Sequence, residues 1–97
     1  MLIKQEQEGN NIMSYFDSSN ILASKYDHIQ EKLAIIFKAG TQYVYEGVKL
    51  MDYIEFIKDQ SQGRSFNNFI KKYNGVKTDK TIDPVPLKEH INNLKGL

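Results

Sequence analysis

The stretch that most limits what this chain can fold into runs from Leu33 to Tyr45. Leu33, Ile35 and Phe37 repeat every second position. Ala39-Gly40-Thr41 follows, and then Tyr43 and Tyr45 repeat in the same way. Two β-prone runs around a Gly-containing connection predict a hairpin. Gly40 is the residue free to take a positive φ in its turn. An earlier run, Ile21 to Tyr26, alternates in the same manner and supplies another strand, with Asp27 to Glu31 as the connection. The predicted strands are therefore 21–26, 32–38 and 41–46.

After Gly47 the period changes. Leu50, Tyr53, Ile54 and Ile57 follow i, i+3, i+4, i+7, the apolar stripe of an amphipathic helix, with Phe56 at its margin. Ser61-Gln62-Gly63 stops it. A second helix is expected from Ser65, a good N-cap by chemistry, with Phe66, Phe69, Ile70 and Tyr73 on one side and Gly75 past its end. Residues 1–17 read as a loose arm, because Gly9-Asn10-Asn11 breaks any helix begun by the Gln/Glu-rich start. Residues 76–86 are polar, hold both prolines, and read as an extended linker. Leu87, Ile91 and Leu94 then space a short helix over 86–95, with Pro86 in its first turn. The expected fold is α+β: a three-stranded antiparallel sheet followed by two short helices packed on one face. Residues 18–75 form the domain, with an arm over 1–17 and an extension over 76–97.

At 97 residues the chain is long enough for one small domain with a modest core. It has no cysteine, which excludes disulfides and thiolate chemistry. The N-terminus has no apolar signal segment, and no apolar run approaches the ~20 residues that span a bilayer. The expectation is a cytoplasmic protein without a membrane association. The formal net charge is +1, but it is unevenly spread. Arg64 to Lys80 holds five cations and one acid, while the rest holds eight cations and eleven acids. Such asymmetry points to an anionic partner, against the plainer reading of a solvated helix face.

Tyr43 and Tyr45 share one face of their strand. They can stack on bases or cover the sheet beneath the helices, and strand register decides between the two. Arg64, beside Gly63 and a helix start, can hold a phosphate or carboxylate. Asn67, Lys71 and Lys72 surround the same helix. Leu87, Ile91 and Leu94 are the candidates for docking on a protein partner or a second copy. His28 and His90 lack an acid or base at a telling spacing. Asp52, Glu55 and Asp59 read as a solvated acidic face rather than a cation site. No nucleophile has a base beside it, so catalysis is not expected, nor are a metal or cofactor.

The order of these features resembles the KTSC domain family, named for its occurrence at the C-terminus of some lysyl-tRNA synthetases. Ser18, Ser19 and Ile21 match its opening and Tyr26-Asp27 its turn. Leu33, Ile35 and Phe37 match its alternating strand, Gly40 the glycine turn, and Tyr43-Val44-Tyr45 the central motif. Ser61-Gln62-Gly63, Phe66-Asn67 and Ile70 match its helical end. Lys25 stands where a glycine is common, and Lys49 where a proline is. The resemblance spans residues 18–73 and implies a non-enzymatic module for which RNA binding is the suggestion. The residue-level readings leave three partners open: RNA, another protein or a second copy of this chain, and a small anionic ligand such as a nucleotide.

Overall fold

The fold is taken from a computed structural model, which describes residues 1–96 and, of these, every side chain but that of Lys80. Six strands lie in sequence order in a single antiparallel sheet: β1 (Leu2–Glu8), β2 (Asn11–Phe16), β3 (Ile21–Asp27), β4 (Lys32–Phe37), β5 (Thr41–Tyr45) and β6 (Gly75–Thr81). Between β5 and β6 the chain leaves the sheet to form α1 (Leu50–Lys58), then α2 (Gln62–Ser65), which widens into a π-helical turn at Phe66–Ile70. After β6 comes α3 (Pro84–Lys95).

The α+β class and the central hairpin stand, but the sheet has six strands where three were expected. Each omission has a local cause. Gly9-Asn10, read as a helix breaker, is the two-residue turn of a hairpin. Gly9 takes φ 61°, and Glu8 pairs with Asn11 across it. β1 then escapes notice because Gln and Glu fill it. β6 escapes because Lys, Thr and Asp alternate there with almost no apolar side chain, as suits an exposed edge strand. Both prolines fall after β6, not within it.

The helices also differ from expectation in phase. α1 buries Tyr53 and Phe56 and leaves Leu50 and Ile54 exposed, so the buried stripe is rotated and Phe56 lies at its centre. The second helix starts at Gln62. Ser61 is its N-cap, its hydroxyl accepting from the Arg64 N–H at 3.3 Å. Ser65, expected as that cap, is fully buried and donates to the Phe56 carbonyl at 2.9 Å, clamping α2 to the end of α1. α3 begins two residues earlier than expected, with Pro84 in its first turn and Asp83 capping the Val85 N–H at 3.1 Å.

Facing residues in an antiparallel pair share a side of the sheet. Tyr26 faces Leu33, Ser24 faces Ile35, and Leu33 and Ile35 face Tyr45 and Tyr43. That side carries α1, α2 and the π turn. Its core joins Phe16, Ile21, Tyr26, Leu33, Ile35, Tyr45, Val48, Tyr53, Phe56 and Ile70. Tyr26 and Tyr53 stack at 4.1 Å. Tyr26 donates to the Val48 carbonyl at 2.7 Å, and the Tyr53 hydroxyl lies 3.2 Å from Ser14 Oγ and 3.2 Å from Gln5 Nε2. Burial raises the Tyr26 phenol to about 12 and that of Tyr53 above its ordinary value. α3 is carried on the other side, where the His90 ring meets Tyr15 edge-on at 5.1 Å.

Candidate functional site

β5 is a five-residue strand whose alternation aims Tyr43 and Tyr45 at the helix-covered side. The register left open by the sequence is thereby settled for Tyr45, which is 6% exposed. Gly75, its neighbour on β6, lies so close that a Cβ there would sit 2.3 Å from the ring. Tyr43 is only half-buried. It stacks on Tyr45 at 6.4 Å and meets Phe37 edge to face at 5.7 Å. Phe37 meets Phe66 at 5.7 Å, and Phe66 returns to Tyr45 at 5.8 Å. The four rings close a circuit in which Tyr45 is buried while Phe37, Tyr43 and Phe66 keep part of their surface in water.

A groove of about 400 Å³ opens beside this circuit. Its floor is Ile21, Phe37 and Phe66, and its rim carries Asn20, Lys38 and Asn67. Local chemistry holds the three walls. The Ser18 hydroxyl accepts from the N–H groups of Asn20 and Ile21, each at 3.3 Å, which fixes the entrance to β3. The Lys38 N–H donates to the Asn20 carbonyl at 2.8 Å, tying the β4–β5 turn to that wall. The π turn supplies the third wall, closed by the Lys71 N–H on the Phe66 carbonyl at 2.9 Å. Segments far apart in sequence, Ser19–Ile21, Phe37–Ala39 and Gly63–Asn67, thus meet at one place.

The charged candidates divide. Arg64 grips Asp59 with both arms of its guanidinium, at 3.2 and 2.5 Å, and holds that carboxyl down at about 2. Lys72 pairs with Asp52 at 3.0 Å. Asp52 also accepts a very short hydrogen bond from Tyr73 Oη, and that bond, with Lys72 beside it, lowers its pKa. Glu55 pairs with Lys58 at 2.7 Å. The acids of α1 thus absorb two of the cations that made the 64–80 window positive. Lys38 and Lys71 are exposed and have no acidic partner among the described residues. Lys71 follows Asn67 by about one helical turn, so it continues the Asn67 rim of the groove.

The sequence-level candidates therefore fall into three groups. Tyr43 and Asn67 belong to the ring circuit and the groove, with Lys71 beside them. Tyr45 is packed under Phe66, and Arg64 and Lys72 are held in ion pairs. Leu87, Ile91 and Leu94 lie on the far side of the sheet. There Ile91 is 5% exposed and shares a crevice with Leu22, and Leu94 lies by Leu2 and Ile3. Sequence reasoning missed Phe37, Lys38, Phe66 and Asn20 as site residues. The available signal was positional: Phe37-Lys38 ends an alternating strand just before its turn, where a ring can extend past its cover. Among the described residues no group of three His, Cys, Asp or Glu could hold a metal, and no helix is long and apolar enough to cross a membrane.

The sequence profile of the KTSC domain matches residues 17–73. The chain is similar to the crystal structure of a KTSC domain protein from Yersinia pestis, at 33% identity and a TM-score of 0.64, over 68% of this chain and 94% of that one. No curated protein matches. Ser19, Ile21, Phe37, Gly63, Phe66 and Asn67, taken above as marks of a resemblance, all line the groove. The profile takes in more than half the length and every wall of that groove, and the chain belongs to the KTSC domain family.

Proposed function

We propose that this domain is a non-enzymatic binding module that takes single-stranded RNA along the Phe37–Phe66 groove. The observation that carries the reading is the pairing of half-exposed rings with unpaired cations. Phe37, Tyr43 and Phe66 offer surface on which any base can stack, and Lys38 and Lys71 stand ready for phosphates. Asn20 and Asn67 add amide donors and acceptors at the rim. The π turn fits the proposal, since such widened turns gather at functional sites.

The test is fluorescence anisotropy of a labelled oligouridylate across a salt series. Binding is expected to weaken steeply with salt. Lys38→Glu with Lys71→Glu should lower the salt slope by about one for each phosphate contact removed, with the melting curve unchanged. Absence of any salt-sensitive binding at low ionic strength overturns the proposal. A second reading follows from the groove's size: about 400 Å³ suits a mononucleotide as well as a strand. Mononucleotides that raise the melting temperature, in a protein that ignores the oligonucleotide, favour that small-ligand reading.

A further inference from the structure

We propose that β6 is a self-pairing edge, joining antiparallel to the β6 of a second copy of this chain about a two-fold axis through Thr78. β6 ends the sheet, and nothing pairs with its outer side within the chain. Residues 74–77 and 79 are exposed, and Val76 is 67% exposed, an apolar side chain on an edge with no cover. Relative to β5, the strand carries two additional residues between Lys77 and Thr81, because Tyr43 pairs with Lys77 and Thr41 with Thr81. Its middle is therefore the part least tied to β5.

Charge selects the register. A lysine on an edge ordinarily repels a second copy. Here Asp79 follows Lys77 by two residues, on the same face of the strand. With the axis on Thr78, Lys77 of each copy lies opposite Asp79 of the other, so two cross-strand ion pairs form by symmetry. A shift by one residue sets Lys77 opposite Lys80 and loses both pairs. Neither Lys77 nor Asp79 has an ion pair within the chain among the described residues. The opposite edge differs on this point. β1 has the same spacing at Lys4 and Glu6, but these pair with each other at 3.4 Å. Only the β6 edge presents complementary charges that the chain itself leaves unmatched.

Sedimentation equilibrium of the full chain, from micromolar to millimolar concentration and without RNA, tests the proposal. The wild type should show a concentration-dependent dimer. Lys77→Glu and Asp79→Lys should each weaken it by about tenfold, since each sets like charges opposite at two symmetric positions. Circular dichroism melts should not change, because both side chains are exposed. Mixing the two variants should restore association as a one-to-one heterodimer, and Lys77→Glu/Asp79→Lys in one chain should restore the homodimer. A wild type that stays monomeric throughout, a dimer indifferent to both substitutions, or a mixture that stays monomeric overturns the proposal.

Discussion

Under α1, Tyr26 and Tyr53 stack at 4.1 Å, both fully buried and both with bonded hydroxyls. At the other end of the same face, Phe37, Tyr43 and Phe66 meet edge to face and remain half-exposed. Ring chemistry is shared by the two clusters, so it does not explain their difference. Cover does: the full length of α1 lies over the first cluster, whereas only the short π turn reaches the second. Closed rings stabilise the domain, and open rings leave area for a ligand. An aromatic residue in this fold is thus to be judged by the element above it.

The comparison breaks first at the closed end. Tyr53→Ala should cost about 3–5 kcal/mol in urea denaturation, because it empties a filled core beneath α1. Phe66→Ala, at the half-exposed end, should cost less, about 1–2 kcal/mol, since much of that ring is already in water. The same change should weaken RNA binding by about tenfold or more, as one stacked base contributes roughly 1–3 kcal/mol. If Phe66→Ala lost stability alone and left binding intact, the open cluster would be only an unfinished core. Tyr53→Phe separates packing from bonding. It keeps the ring and removes the hydroxyl shared by Ser14 and Gln5, for an expected loss of about 1 kcal/mol.

The smallest effect is a pH dependence at the Asp59–Arg64 pair, which borders the open end. The Asp59 carboxyl is held at about 2 in the folded state, chiefly by the Arg64 hydrogen bonds. In the unfolded chain it titrates at about 4. On acidification the unfolded state therefore takes up its proton first. The pair's contribution is present above about pH 4 and is lost as pH falls towards 2. The stability gap between wild type and Asp59→Asn should shrink over that window and stay constant from pH 5 to 8. A gap that ignores acid would remove the pair from the account of the π turn's support.

What the sequence makes legible follows where hydrophobic pattern is strong. Strands β3 to β5 lie within a residue of their expected bounds, because one side of each must be apolar. The outer strands β1, β2 and β6 were read as arm and linker. β1 and β6 touch a single neighbour, so polar side chains suffice there, and backbone pairing leaves no trace in composition. Phase in α1 was misjudged for a related reason. Leu50 and Ile54 are apolar yet exposed, so counting apolar positions favoured the wrong stripe, and only the Tyr53 and Phe56 contacts correct it. For the site, charge counting along a window failed at Arg64 and Lys72. Their acids, Asp59 and Asp52, come from a different helix. The ring circuit and groove depend on Phe37, Asn20 and Asn67 coming together from three segments, which no linear spacing displays.

The interruption of the meander between β5 and β6 also orders events in time. Each pairing from β1 to β5 closes a short connection, so these strands can find one another through local encounters. β6 reaches β5 only after residues 46–74 have made α1, α2 and the π turn, and that longer closure follows the rest. Read in reverse, β6 is the strand whose amides should exchange with deuterium soonest under native conditions, ahead of β3 and β4. Gly75 against the Tyr45 ring is then the last contact to form and the first to let go.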